Sequence, residues 1–195
     1  LRILDFGLAK VVAEDRAMMN ELIEIFGESL KMTLRQLELD DNEIADLSGR
    51  SPFEHLTSLE LLSLDGNGLG HVDSDTFKGL GTLRQLSIDE NMLEKIDDDW
   101  FGHFRMLEML SLRDNNFKVF PTLKLPSLNR LYLSENKLVS EVNSGTFRNL
   151  LDLKDIDISN CSKIWLVEND AFTGPKSFQT IKLCNNSLEQ QPAAV

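Results

Sequence analysis

The sequence predicts an α/β solenoid, a coil of similar turns that each add one short strand to a parallel sheet. The first observation is the stretch from Leu83 to Leu93, which has the form L-x-x-L-x-I-x-x-N-x-L. The second is that the same frame begins again at Leu59 and at Leu107, 24 residues away on either side. Motifs that recur at a fixed period of roughly 20–29 residues are typical of solenoids, in which each turn packs only on its neighbours.

Seven such frames follow one another between residues 34 and 190. Their first residues are Leu34, Leu59, Leu83, Leu107, Leu128, Leu153 and Phe178. The ninth position of each frame, here called the slot, holds Asn42, Asn67, Asn91, Asn115, Asn136, Cys161 and Asn186. A polar residue that recurs within an apolar frame must satisfy its hydrogen bonds. We therefore expect the slot side chain to turn inward and bond the backbone of the adjacent turn.

A phenylalanine follows most of the slots and predicts an aromatic spine behind the strands. The expected members are Phe53, Phe77, Phe101, Phe147 and Phe172. The repeat that begins at Leu107 is shorter than the others and carries Phe120-Pro121 and Leu125-Pro126 instead. Because proline is poorly compatible with helical turns, we expect the convex side of this repeat to be extended.

The complete frame, L-x-x-L-x-L-x-x-N-x-L-x-x-I followed by F-x-x-L, resembles the "typical" subfamily of extracellular leucine-rich-repeat proteins. That family includes Toll-like receptors, Slit-type guidance proteins and chaoptin-type adhesion proteins. The resemblance implies a right-handed horseshoe with a parallel sheet on its concave side and an irregular or short-helical convex side. It also implies that the horseshoe binds other proteins. The cysteine-rich caps usual in that family are missing, so we expect the chain to be a segment of a longer ectodomain.

We expect residues 1–195 to form one domain, with about seven repeats over 34–190 and an irregular first repeat over 1–33. Methionine, leucine and isoleucine recur every three or four residues over 15–27, which predicts an amphipathic helix that ends at Gly27. The earlier Asp5-Phe6-Gly7 matches a protein-kinase segment, but no Ala-Pro-Glu segment follows it. We therefore interpret residues 1–14 as part of the repeat pattern.

The charge of the chain restricts its partners. Thirty-two acidic residues against 20 basic ones give a net charge of −12 and a pI of about 4.7. Nucleic acids and anionic membrane surfaces would repel such a protein, so neither is expected as a partner, whereas a basic protein is compatible. No apolar run reaches the length of roughly 18 residues that a membrane span needs, so we expect no membrane insertion by this segment.

Alternate residues of each frame should point out of the strands and form the concave face. The central pairs in chain order are Gln36 and Glu38, Leu61 and Ser63, Gln85 and Ser87, Met109 and Ser111, Arg130 and Tyr132, Asp155 and Asp157, and Thr180 and Lys182. The flank adds Asp40, Asp41, Asp65, Asp89, Glu90, Asp114 and Glu135. The predicted partner-binding residues are Met109, Arg113, Arg130, Tyr132, Asp155 and Asp157. An ordinary solvated face remains the alternative.

Catalysis, cofactors and metals are not expected. His55, His71 and His103 fall in different repeats, without a second ligand at metal-binding spacing. The paired carboxylates of Asp155 and Asp157 have no apolar enclosure that would tune them for acid–base chemistry. The two cysteines should point in opposite directions, Cys161 inward and Cys184 outward, which argues against a disulfide between them.

Two glycosylation sequons are present, Asn160-Cys161-Ser162 and Asn185-Asn186-Ser187. Each acceptor asparagine precedes a slot residue and is therefore expected to be exposed. Glycans at Asn160 and Asn185 would place the protein outside the cell and keep that flank free of a partner.

The sequence thus predicts a non-enzymatic protein-recognition module of an extracellular receptor, adhesion or matrix-organising protein. It would bind a protein ligand through the concave face or the acidic flank. An intracellular leucine-rich-repeat scaffold and a segment of an innate immune pattern-recognition receptor remain alternatives. A homodimer also remains open, because solenoid edges and faces can serve self-association equally well.

Overall fold

The computed structural model describes residues 33–48, 51–96, 98–137, 141–161 and 163–189. The helix predicted over 15–27, and all but the last residue of the irregular first repeat, lie outside these residues. The second half of the chain is described as far as Glu189, which includes both predicted glycosylation acceptors.

Seven strands form one parallel sheet whose spatial order is the order along the chain. The strands are β1 (Gln36–Glu38), β2 (Leu61–Ser63), β3 (Gln85–Ser87), β4 (Met109–Ser111), β5 (Arg130–Tyr132), β6 (Asp155–Asp157) and β7 (Thr180–Lys182). Each strand begins two residues after the first residue of a frame. The prediction of a solenoid with a parallel sheet is therefore confirmed.

The strands pair in strict register, so that equivalent residues of successive frames lie side by side. The central residue of each of the first six strands is buried in the core, as Leu62 and Leu86 illustrate, and is flanked by the two outward residues, whereas the central Ile181 of β7 is exposed. Because side chains alternate along a strand, this register arranges the outward residues in rows that cross the sheet.

The convex side is built from short turns. Two 3₁₀ helices occur among the described residues, Ser74–Phe77 and Asp98–His103. The shorter repeat that begins at Leu107 has no helix over residues 116–125, as expected for its extended convex side. The structure therefore agrees with the interpretation of the two proline-containing pairs in this repeat.

The aromatic spine differs in part from the prediction. Phe77 packs on Phe53 with ring centroids 6.5 Å apart, but its next ring contacts are with Trp100 at 5.0 Å and Phe104 at 5.3 Å. Phe101 is buried without joining these ring contacts. The helix Asp98–His103 turns the Trp100 indole into the spine, where its Nε1 donates a hydrogen bond to the Val72 carbonyl at 2.8 Å.

A second group of rings begins at Phe120, in the repeat that lacks the usual phenylalanine. Its ring lies 5.9 Å from Phe147, which in turn stacks 5.4 Å from Phe172. Phe178 completes this group. Among the described residues, the spine is therefore divided into two aromatic groups, one that precedes the short repeat and one that begins within it.

The slot side chains connect successive turns, as predicted. The Asn91 amide donates to the Leu64 carbonyl at 3.0 Å, and its Oδ1 accepts the N–H of Leu69 at 3.0 Å. Both partners belong to the preceding turn. The same two-way connection is made by Asn67, Asn115, Asn136 and Asn186. Cys161 replaces the donor with its thiol, 3.4 Å from the Leu133 carbonyl.

The residue before each slot has a positive φ. The angles lie between 45° and 64° for Asp41, Gly66, Glu90, Asp114, Glu135, Asn160 and Asn185. Glycine, asparagine and aspartate tolerate this left-handed conformation best. The backbone therefore favours the glycine, aspartates and asparagines at five of these positions, while Glu90 and Glu135 adopt the same conformation. It also directs their side chains outward, so that six of these positions form an exposed outer row beside the buried slots, with Gly66 partly buried.

We predict that Asn91→Ala destabilises the protein strongly. The substitution leaves a buried carbonyl and a buried N–H of the preceding turn unpaired, which costs about 1–3 kcal/mol for each group. Urea unfolding should therefore show a loss of about 2–5 kcal/mol. The matched control is Met92→Ala at the exposed neighbouring position. Equal unfolding midpoints for the two variants would contradict the role of the slot.

Candidate functional site

The register of the sheet brings the predicted site residues together on the concave face. Met109, Arg130 and Asp155 lie side by side on β4, β5 and β6. Tyr132 lies beside Ser111 on one side and Asp157 on the other. Arg113 follows β4 and reaches the same area. Five of the six residues predicted from the sequence are partly exposed here, and the sixth, Asp157, is buried beside them. We call this group of six residues the central patch.

Arg113 and Tyr132 form a preassembled pair within the central patch. The Arg113 guanidinium carbon lies 4.3 Å from the centroid of the Tyr132 ring, which is a cation–π contact. Its Nε is buried without a hydrogen-bond partner among the described residues. No other described residue accepts a hydrogen bond from this guanidinium. Arg113 is thus held by the ring and forms no ion pair among the described residues, although its charge acts on Asp89 and opposes the rise that burial causes in the pKa of that carboxyl.

Arg130 and Asp155 also keep their charges available. They are Cα partners across β5 and β6, yet no ion pair joins their side chains or connects either one to another described residue. Both are partly exposed. The central patch therefore offers a partner a guanidinium and a carboxylate at neighbouring positions.

Asp157 has a different environment from the other patch residues. It is buried, and its carboxylate accepts hydrogen bonds from the Ser159 hydroxyl at 2.6 Å and the Ser159 N–H at 3.1 Å. The Lys182 ammonium lies 3.5 Å away. Burial alone would raise the pKa of Asp157, but the Ser159 bonds and Lys182 together outweigh it and lower that pKa. This carboxylate is therefore already engaged within the protein.

Three aspartates form a hydrogen-bonded row along the edge of the concave face. We call Asp40, Asp65 and Asp89 the inner carboxylate row. Asp40 Oδ1 accepts the N–H of Asp65 at 2.9 Å, and Asp65 Oδ1 accepts the N–H of Asp89 at 2.6 Å. Asp89 Oδ1 accepts the N–H of Arg113 at 2.7 Å. Each carboxylate thus connects its own turn to the next, and the row ends at Arg113.

Serines on the following strands complete the binding of these carboxylates. The Ser87 hydroxyl donates to Asp65 at 2.9 Å, and the Ser111 hydroxyl donates to Asp89 at 2.6 Å. Burial raises the pKa of both carboxyls; the serine and backbone hydrogen bonds oppose this effect, and the preceding aspartate in the row reinforces it. The sequence interpretation treated these residues as a single acidic flank. The sequence signal for these contacts is a serine in the following frame, two positions before the position that the aspartate holds in its own frame. Ser87 follows Asp65 in this way, and Ser111 follows Asp89.

The outer row makes up the remaining part of the acidic flank. Its exposed carboxylates are Asp41, Glu90, Asp114 and Glu135. The outer row also contains Asn160 and Asn185, both exposed as expected, with the Asn185 amide donating to Asn160 Oδ1 at 2.7 Å. The two sequon asparagines are therefore adjacent on one flank.

The remaining reactive side chains form local contacts. His71 lies 2.8 Å from Asp73, and His103 lies 3.9 Å from Asp75. No group of three or more metal-ligating side chains occurs within the described parts of the chain. Cys161 is buried, which raises the pKa of its thiol to about 11, and Cys184 is exposed. These opposite orientations confirm the prediction for the two cysteines. None of the described helices is long and apolar enough to span a membrane.

Comparisons with known proteins agree with this geometry. The leucine-rich repeat family model matches residues 57–117. The crystal structure of a TLR13–ssRNA13 complex aligns with a TM-score of 0.66 at 24% identity, over 88% of this chain and 28% of that one. An internalin, InlF of Listeria monocytogenes, aligns with a TM-score of 0.64 at 18% identity, over 84% of this chain and 45% of that one. No curated protein matches the sequence.

The repeated frame, the parallel sheet and the slot connections define a solenoid of the leucine-rich-repeat class. The chain has the leucine-rich-repeat fold, and its residues 57–117 match the model of that family. It spans less than half the length of either similar structure. Proteins of this class generally serve as non-enzymatic interaction modules.

We predict that the inner carboxylate row makes stability depend on pH in a defined direction. Because burial raises the pKa of Asp65 and Asp89, the folded protein holds their protons more tightly than the unfolded chain. The resulting stabilisation is complete below the unfolded-state pKa and is lost as the pH rises through the folded-state pKa. The stability of the wild type relative to Asp65→Asn/Asp89→Asn should therefore increase as the pH falls from 7 towards 4.

Urea unfolding at a series of pH values measures this difference. Asp157→Asn is the control of opposite sign, because the pKa of Asp157 is lowered and its stabilisation is lost as the pH falls. A wild-type advantage over Asp65→Asn/Asp89→Asn that stays constant or shrinks with acidification would contradict the prediction.

Proposed function

We propose that this segment is a non-enzymatic protein-recognition module that binds its partner through the central patch. The observation that carries the proposal is the Arg113–Tyr132 pair, an aromatic ring in contact with a guanidinium that forms no ion pair among the described residues. Tyrosine and arginine are enriched among the residues that dominate binding energies at protein interfaces. Side chains fixed before binding also lose less conformational entropy on association.

Each patch residue has a distinct role in this proposal. Tyr132 and Met109 provide the apolar contact area, while Arg113 and Arg130 provide cations for carboxylates or carbonyl groups of the partner. Asp155 provides the neighbouring negative charge. Asp157 acts indirectly, because its carboxylate already holds Ser159 and Lys182.

The charge of the chain supports a protein rather than a nucleic acid as the partner. The TLR13 structure contains single-stranded RNA. In this chain, a net charge of −12 and the acidic rows beside the patch oppose the approach of a phosphate backbone. A partner with basic groups around its contact surface would instead be attracted. A second copy of the chain is the alternative occupant of the patch.

We further propose that the protein acts outside the cell, as part of a receptor, adhesion or matrix-organising protein. The proposal is supported by the exposure of Asn160 and Asn185, both within sequons. An intracellular scaffold of the same fold is the second candidate. It is favoured by the two unpaired cysteines, because disulfides are rare in reducing compartments.

Substitution of the central patch should abolish partner binding. We predict that Arg113→Ala/Arg130→Ala/Tyr132→Ala weakens binding by at least about 100-fold, since each removed hot-spot residue contributes about 1 kcal/mol or more. Partners are isolated from cell-surface and matrix preparations with the wild-type protein, and their affinities are then measured by surface plasmon resonance.

The matched control removes two cations and one ring from exposed positions outside the patch, as Arg105→Ala/Lys176→Ala/His55→Ala. It should bind like the wild type. Equal affinities for the wild type and the patch variant would contradict the residue assignment, whereas equal losses in both variants would indicate a charge effect without a defined site.

Secreted protein should carry glycan on at least one of Asn160 and Asn185. Expression of the protein in eukaryotic cells, followed by peptide mass spectrometry, measures the occupancy of both sites. Asn160→Gln/Asn185→Gln provides the control for the mass shift. Efficient secretion with both sites unmodified would remove the support of the sequons, and failure to enter the secretory pathway would favour the intracellular scaffold.

A further inference from the structure

The concave face carries a second feature beside the central patch, a shallow depression over the first four strands. Its lining includes Glu38, Asp40, Leu61, Gln85, Ser87 and Met109. Its volume is about 160 Å³. Sites for small organic ligands are usually larger, at roughly 300–1,000 Å³. The depression, which we call the serine notch, is therefore of a size suited to one side chain.

Small residues create the serine notch. Ser63, Ser87 and Ser111 occupy the same outward position on β2, β3 and β4, in register with one another. The residues at that position on the two adjoining strands are longer, Glu38 on β1 and Tyr132 on β5. A row of three short side chains between two long ones leaves a trough that crosses the strands.

One wall of the trough is apolar. Leu61 and Met109 flank Gln85 in the adjacent row of outward positions, and all three are only partly buried. An unbranched alkyl chain laid along this row would contact both apolar residues, as the stems of lysine and arginine do on protein surfaces. The Gln85 amide between them can serve a polar group of the same ligand.

The two ends of the trough carry opposite charges. Glu38 and Asp40 lie at the β1 end, and Glu38 makes no ion pair with any other described residue. Arg113 and Tyr132 lie beyond the Met109 end of the depression, where they form the cation–π pair of the central patch. A cationic head would be repelled at Arg113 and attracted at Glu38, so the geometry fixes the direction in which a basic side chain can enter.

The inner carboxylate row reinforces this polarity. Asp65 and Asp89 lie along the margin of the trough, where their carboxylates are bound to Ser87 and Ser111. Their side chains are held by these hydrogen bonds, so their negative charges stay beside the trough. Asp40 is also anchored, through the Asp65 N–H, so its charge is fixed at the β1 end.

We infer that the serine notch receives a lysine or arginine side chain of the protein partner. The alkyl stem lies on Leu61 and Met109, and the cationic head lies at Glu38 and Asp40. The inference rests on the proposed function, because a partner bound to the adjacent central patch would present this side chain. It specifies a partner whose basic residue lies at the β1 end of the contact.

The test uses defined peptides, so that it does not depend on finding the partner. The probes are acetyl-Gly-Gly-X-Gly-Gly-amides in which X is arginine, lysine, citrulline or norleucine. Citrulline keeps the shape of arginine without its charge, and norleucine keeps only the apolar stem. Each peptide is titrated into isotope-labelled protein, and the NMR signals of the leucine and methionine methyl groups and of the backbone amides are followed.

The expected result is that the arginine and lysine peptides shift the signals of Leu61, Gln85 and Met109 in a saturable way. They should bind about three- to tenfold more tightly than the citrulline and norleucine peptides. Glu38→Gln/Asp40→Asn should remove this preference, and its asparagine can still accept the Asp65 N–H. Asp99→Asn/Asp152→Asn makes the same change of charge at exposed positions outside the notch and should keep the preference.

Three results would overturn the inference. The first is equal binding of arginine and citrulline peptides, and the second is an equal loss of preference in both double variants. The third is a set of shifts at Arg130 and Tyr132 without shifts at Leu61 or Met109. That third result leaves the central patch, and with it the proposed function, standing. Conversely, partner binding that is lost in Glu38→Gln/Asp40→Asn but kept in the central-patch variant would place the partner's binding site in the notch and not in the patch.

Discussion

The inward hydrogen bonds of the slot side chains are the constraint on which the structure depends. Each turn is too short to bury its own polar backbone, and each slot amide supplies one donor and one acceptor to the preceding turn. Asn91 does so with Leu64 and Leu69, and four other asparagines repeat the pattern. Because these bonds set the stacking of the turns, they also set the register of the strands and hence the composition of every row on the concave face.

The same need for hydrogen-bond partners extends to the surface. The aspartates of the inner row accept backbone N–H groups of the next turn, so part of the acidic charge serves the architecture. The row ends where Arg113 replaces aspartate, and Arg113 stacks on Tyr132 instead. The central patch thus begins at the point where the structural row stops. The Ser159 N–H and hydroxyl both donate to the Asp157 carboxylate of the same turn. That carboxylate is buried and is not available to a partner.

Periodicity in the sequence predicted the features that every turn shares. The strands, the inward slots, the burial of Cys161 and the exposure of Asn160 all follow from position within the frame. Features that depend on contacts between particular turns could not be predicted from the position of a residue within its frame. Trp100 enters the aromatic spine because a 3₁₀ helix rotates it there. Asp40 and Asp41 are neighbours in sequence and both are exposed, and only the stacking of the next turn makes Asp40 the acceptor of the Asp65 N–H.

Amide hydrogen exchange in the native protein tests the central claim most directly. The N–H groups of Ile44, Leu69, Leu93 and Phe117 lie outside the strands, yet each donates to the Oδ1 of a slot asparagine. The account predicts that they exchange as slowly as the paired strand amides of Leu62 and Leu86. Fast exchange of these four amides, beside protected strands, would show that the slots do not hold the turns together and would contradict the account.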